Sequence, residues 1–201
     1  MNRTHYLAQA NWHTHINRCT ASPEVRDWLT HRQSLTARLL SCSAHFQVQR
    51  LQQQSALCLQ DEMRVLGFSW RVQVVEREVL LRCDDHFVVY AHTVLPLSAN
   101  AHQWPLFASL GNKSLGTTLF NDPLVKRGAL HFAHLRSTHP LMQRIVRLNL
   151  RGVETSRLYA RRSLFERHGS ILLVTEVFLP PLYDCRASET KLNISPNRGT
   201  P

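Results

Sequence analysis

Leu172-Leu173-Val174-Thr175-Glu176-Val177-Phe178-Leu179-Pro180 is an apolar, strand-like run with a single carboxylate inside it. Residues 156 to 167 form a second strand-like run just upstream, and His168-Gly169-Ser170 between them has turn chemistry, so the two read as an antiparallel hairpin. A carboxylate among so much apolar surface is costly to bury unless it is paired or protonated, which marks Glu176 for chemistry. It needs a cationic partner, and Arg77 is the expected one.

Working outward, residues 70 to 82 and 87 to 95 are two more strand-like runs, joined by Cys83-Asp84-Asp85-His86, a second hairpin. Residues 45 to 51 alternate Phe46 and Val48 with Gln47 and Gln49, the period of a half-buried strand, and residues 129 to 135 can form another. Helical spacing from Pro23 to Cys42 predicts two short helices, with Ser34 capping the second. Residues 105 to 110 and 114 to 120 read as short helices divided by Gly111-Asn112, and residues 139 to 149 as a longer one. The expectation is an α+β single domain: a six-stranded antiparallel sheet with helices in the longer connections. Its bounds are residues 23–183, after an N-terminal extension (1–22) and before a disordered tail (184–201) rich in Pro, Asn, Ser and Thr.

The 201 residues, 43% hydrophobic, suffice for one core, and 24 Lys plus Arg against 14 Asp plus Glu favour an anionic partner. Basic residues are scattered and aromatics form no stacking series, so nucleic acid is not expected. Five cysteines without a C-x-x-C pair suggest reduced thiols in the cytoplasm. The first twenty residues lack the apolar core of a secretory signal, and no window approaches the roughly 18 apolar residues of a spanning helix. Among twelve histidines, His13-x-His15 has no nearby Cys, Asp or Glu to complete a metal site. No phosphate loop, G-x-S-x-G or H-E-x-x-H string is present, and neither cofactor nor metal is expected.

Three stretches resemble the chorismate lyase family. They are Arg77-Glu78-Val79-Leu80-Leu81 followed by Thr93-Val94-Leu95-Pro96; Leu110-Gly111-Asn112-Lys113 followed by Leu115-Gly116 and Leu119-Phe120; and Ala160-Arg161-Arg162-Ser163 leading into residues 172–180. With Asp27-Trp28-Leu29 and Ser34-Leu35-Thr36 the resemblance spans about residues 25 to 183 in constant order. It implies an enzyme that removes pyruvate from chorismate to leave 4-hydroxybenzoate for ubiquinone synthesis. It also implies that Arg77 binds substrate, that Glu176 acts at the reacting centre, and that Leu35 and Leu115 mark segments touching the ligand partly through backbone. The family commonly has a second functional Arg where this chain has His92, after the small residue Ala91.

Chorismate is a dianion, and a guanidinium holds a carboxylate through two charge-assisted hydrogen bonds. Val75 and Val79 share a strand face with Arg77, so its charge emerges among apolar side chains. His92 is expected to face the same pocket and to weaken catalysis as pH climbs. Glu176 could be general acid, general base or hydrogen-bond anchor. Arg161 and Arg162 are expected to split across a strand, one toward the pocket and one solvated. The structural alternative is a buried Arg77–Glu176 ion pair without chemistry. The functional alternative is a weak or inactive binder of small anions or aromatic carboxylates, since the fold also occurs as the effector domain of bacterial regulators. About twenty-five residues ahead of the resemblance are too few for a helix-turn-helix, and a monomer is expected.

Overall fold

Alternating and continuous apolar runs become strands, and residues that accept left-handed backbone become the turns between them. The computed structural model describes residues 9–99, 102–151, 153 and 157–185. Its strands are β1 (Phe46–Leu57), β2 (Gln73–Cys83), β3 (His86–Pro96), β4 (Lys126–Arg127), β5 (His131–Arg136), β6 (Arg157–Arg167) and β7 (Ser170–Phe178). Asp84 (φ 52°) turns the β2–β3 hairpin, and His168 and Gly169 (φ 49° and 71°) turn β6–β7. The two hairpins join through β3 and β7 into one antiparallel sheet ordered β1-β2-β3-β7-β6-β4, with β5 further along the same edge of β6.

The sheet therefore has seven strands, not six. The extra one, β4, is only Lys126-Arg127, too short and too polar for any periodic signal. β1 also runs six residues further than the alternation at its start suggests, because its distal half is a glutamine-rich edge paired to β2 on one side only.

Helices cover both faces. On the front lie α1 (Pro23–Thr30) and α2 (Leu35–Ser41), whose N-caps Ser22 and Ser34 accept from the amides of Val25 (3.4 Å) and Ala37 (3.2 Å). On the back, α3 (Gln60–Met63) was not anticipated; at four residues it is below helical periodicity. α4 (Leu115–Asn121) follows Ser114 and joins the front layer. α5 (Pro140–Arg147) begins at His139, whose Nδ1 accepts from the Leu141 amide at 3.2 Å. Leu141, Met142 and Ile145 of α5 pack on Leu80, Tyr90 and Val177 of the back face. The 137–155 insertion is thus, in its described part, a packing element remote from the front face.

The stretch expected as a helix over residues 105 to 110 is a series of turns. Trp104, Phe107 and Leu110 dock on Leu95, Phe165 and Leu172 instead, and Trp104 Nε1 donates to Ser170 Oγ at 3.0 Å. The described part of residues 1–22 is stitched into the domain: His13 and Phe132 exchange backbone hydrogen bonds of 2.8 Å, Trp12 Nε1 donates to Asp61 at 2.7 Å, and Cys19 is buried. Pro180–Asp184 forms a 3-10 turn that buries Leu182. The rest of the expected tail, residues 186–201, lies outside the described residues. Among the described residues no helix is long and apolar enough to cross a membrane.

Candidate active site

Register across the four central strands assembles the site. Arg77, Thr93, Val174 and Ser163 form one cross-strand row, and Val79, Ala91, Glu176 and Arg161 form the next. Cross-strand partners share a face, so both rows look to the front. α2 and α4 roof them: Leu35 and Leu115, each the first residue of its helix, line the same cleft as Arg77 and Glu176. Thr36 Oγ1 and Ser114 Oγ, 2.5 Å apart, tie the two helices together. Their approach depends on Gly116, where a Cβ would stand 2.8 Å from Thr36 Oγ1.

Glu176 pairs with Arg161, not Arg77: Arg161 Nε donates to Glu176 Oε2 at 2.5 Å. The two are directly opposed on β6 and β7, and a cross-strand neighbour outcompetes a residue two strands away. Arg161 Nη1 reaches the carbonyls of Trp28 (3.1 Å), Leu29 (3.3 Å) and His31 (2.7 Å), the end of α1. One guanidinium thus caps a helix C-terminus, where carbonyls lack partners and positive charge is favoured, and orients the acid.

Arg77 is in no ion pair among the described residues. Its Nη2 donates to the carbonyls of Gly111 and Lys113, 3.0 Å each, while its buried Nε has no partner. Burial, and next the Arg50 charge, push the guanidinium down to about 10. An aimed, desolvated cation without an anion is a carboxylate receptor in waiting.

His92 is not in the cleft. It lies on the back face, paired across the strands with Glu78 and Thr175, its Nε2 3.0 Å from Glu62 Oε1 and its Nδ1 3.3 Å from Glu78 Oε1. Burial opposes its charge, but Glu62 and then Glu78 outweigh burial and push His92 up to about 9. Burial likewise pushes Glu78 up, yet His92 and Arg144 hold it down to about 2. The cause of the displacement is a bulge between Leu81 and Arg82. The turn pairs Cys83 with His86, and an unbroken ladder from there would set His92 opposite Arg77; one extra residue flips every later side chain of β3. The expected effect of His92 on catalysis therefore has no geometric basis.

The potential ligand atoms of Glu76, Glu78 and His92 come within 4.8 Å of one another. Arg144 already supplies a cation there, bonded to both glutamates. One of Arg161 and Arg162 is expected in solvent, but both are buried: Arg162 lies on this face, its Nη1 donating to the Asp61 carbonyl at 3.0 Å and its Cζ 4.2 Å from the Trp12 ring.

The sequence reading missed Arg127, which lines the cleft from β4. Lys126-Arg127 stands between a turn and a strand, and no local signal separates it from other surface basic pairs.

Fold and site together define an α+β domain with a roofed, cationic cleft on one face of an antiparallel sheet. The crystal structure of the PhnF C-terminal domain shares the fold, with a TM-score of 0.52 at 17% identity over 74% of this chain and 89% of that one. The chorismate lyase family profile matches residues 6–188. A Cupriavidus metallidurans protein named "Probable chorismate pyruvate-lyase" is 44% identical over 182 residues, 90% of this chain and 85% of that protein. A Ralstonia nicotianae protein of the same name is 48% identical over 158 residues, 77% and 80% respectively. The chain belongs to the chorismate lyase family.

Proposed function

We propose that this protein is a chorismate pyruvate-lyase that releases 4-hydroxybenzoate, in the cytoplasm, for ubiquinone synthesis. The observation that carries this reading is the pair of groups lining one cleft: an Arg77 guanidinium with no anion among the described residues, and a Glu176 carboxylate fixed by Arg161. The names of the relatives agree with it. All five cysteines are unpaired, in keeping with a reducing compartment.

In the reaction the bond between the ring and the enolpyruvyl oxygen breaks, and its electron pair leaves with that oxygen. The neighbouring ring C–H gives up a proton, its electrons complete the aromatic ring, and the enolpyruvate takes up a proton and tautomerises to pyruvate. Aromatisation supplies the driving force, so no oxidant or electron sink is required. Arg77 takes the ring carboxylate in a fork, which sets the ring over Val79 and Ala91 and between Leu35 and Leu115. Glu176, oriented by Arg161 through Oε2, has acceptor capacity left for the ring hydroxyl or the departing ring proton.

The test is incubation of purified protein with chorismate, following 4-hydroxybenzoate by absorbance and pyruvate by an enzyme-coupled assay. Equal amounts of both products support the reading. Binding of 4-hydroxybenzoate with no turnover at any pH would replace it with the non-catalytic binder of the same fold.

A further inference from the structure

Elimination splits a dianion into two monoanions, and Arg77 accounts for one carboxylate only. The other rides on the three-carbon arm. Arg127 is placed for it. Its Nε donates to Ser163 Oγ at 2.9 Å and its Nη1 to the Arg32 carbonyl at 2.7 Å. The Phe120 and Phe165 rings lie 5.4 and 5.5 Å from its Cζ. These contacts fix the plane of the guanidinium and leave Nη2 without a partner among the described residues. Among the described residues no carboxylate is within ion-pair distance of Arg127, although it lines the same cleft as Glu176.

Arg127 also lines a second depression on the outside of the domain, with His15, Thr30, Arg32 and Leu130. Among the described residues no other side chain borders both spaces. Burial pushes the guanidinium down to about 10, while the Glu176 charge acts in the opposite sense, so the acid and this cation feel each other electrostatically. Arg77 on β2, Glu176 on β7 and Arg127 on β4 line one cleft, so the two cations enter it from different strands of the sheet with the acid on a strand between them.

Resting on the lyase reading, we propose that Arg127 is a second anion subsite, which takes the carboxylate of the enolpyruvyl arm and hands the released 2-oxo acid to the outer depression. The subsite acts only on the leaving fragment. It stabilises negative charge as the carbon–oxygen bond breaks, and the covalent changes are those already given for the elimination.

Two measurements test this. In the first, Arg127→Gln raises KM for chorismate about 10- to 100-fold, the factor carried by one charged hydrogen-bonded contact. Inhibition by added pyruvate disappears, and Kd for 4-hydroxybenzoate stays within about twofold. Arg127→Lys restores part of the pyruvate inhibition. Unchanged KM and unchanged inhibition in Arg127→Gln overturn the proposal, as does a loss of 4-hydroxybenzoate affinity equal to the loss in KM, which would put Arg127 at the ring. The second measurement uses the wild-type protein and so is independent of how the variant folds. Pyruvate, observed by saturation-transfer NMR, binds protein already saturated with 4-hydroxybenzoate; mutually exclusive binding overturns the subsite. Failure of the lyase reading has a different signature, no chorismate turnover by wild type.

Discussion

Glu176 and Arg77 face one cleft but differ in how they are held. The acid has its cation at 2.5 Å, whereas Arg77 is anchored only by carbonyl oxygens and is free to meet an anion. Glu176→Gln keeps an acceptor for Arg161 and removes the carboxylate, so turnover should fall about 10²- to 10⁴-fold with the circular dichroism spectrum retained. Wild-type turnover in that variant would remove Glu176 from the chemistry. His92 belongs to stability instead. Its folded value, about 9, lies above the ordinary value of about 6.5, so its contribution is complete below about pH 6.5 and is lost as pH rises through about 9. Urea midpoints should fall across that window, and His92→Asn should flatten the fall. Residue types were enough to single out Arg77 and Glu176 in the sequence. That Glu176 pairs with Arg161 and not with Arg77 was not legible, because it depends on which strands are neighbours. The side occupied by His92 was not legible either, because a single bulged residue in the β2–β3 hairpin decides it and leaves no compositional trace.

At the level of elements, the roof depends on a contact that admits no methyl group. Gly116→Ala would drive a Cβ into Thr36 Oγ1, a short β-branched side chain already bonded to Ser114, so α2 and α4 must separate. The expected cost is about 1–3 kcal/mol of stability by chemical denaturation, with KM for chorismate raised. Thr36→Ser, which keeps the hydroxyl and frees space, should recover part of both losses in the double variant; no recovery would place the strain elsewhere. Arg161 links β6 to the end of α1, and Arg161→Gln leaves Glu176 and three carbonyls short of a buried cation. A loss of about 3–5 kcal/mol is expected, read as a lowered urea midpoint. Elements with strong periodicity, such as α1, α2 and the hairpins, were legible from sequence. Residues 105–110 were not: their apolar spacing suits a helix, but the sheet face absorbs the same side chains in a turn-rich loop.

Taken whole, the molecule divides its ionic chemistry between the two faces of one sheet. Among the described residues, the front keeps guanidinium groups without carboxylate partners at Arg77 and Arg127, and the back pairs its buried charges with one another through Glu62, Glu76, Glu78, His92 and Arg144. With a formal charge of +10, approach of a dianion should be steered. Raising ionic strength from about 0.01 to about 1 M shortens the screening length from about 30 to about 3 Å, so kcat/KM should fall steeply while kcat holds. A salt-independent kcat/KM would show that steering plays no part. The domain also has a long-range seam, since the carbonyl of Trp28 in α1 waits for a guanidinium 133 residues downstream. On the ribosome the first helix emerges early, yet its terminal carbonyls stay open to water until almost the entire chain has been made. Glu176 follows 15 residues after that guanidinium. A nascent polypeptide halted before β7 would carry α1, α2, α4 and most of the sheet and still lack a working centre, so competence arrives as one late event in synthesis.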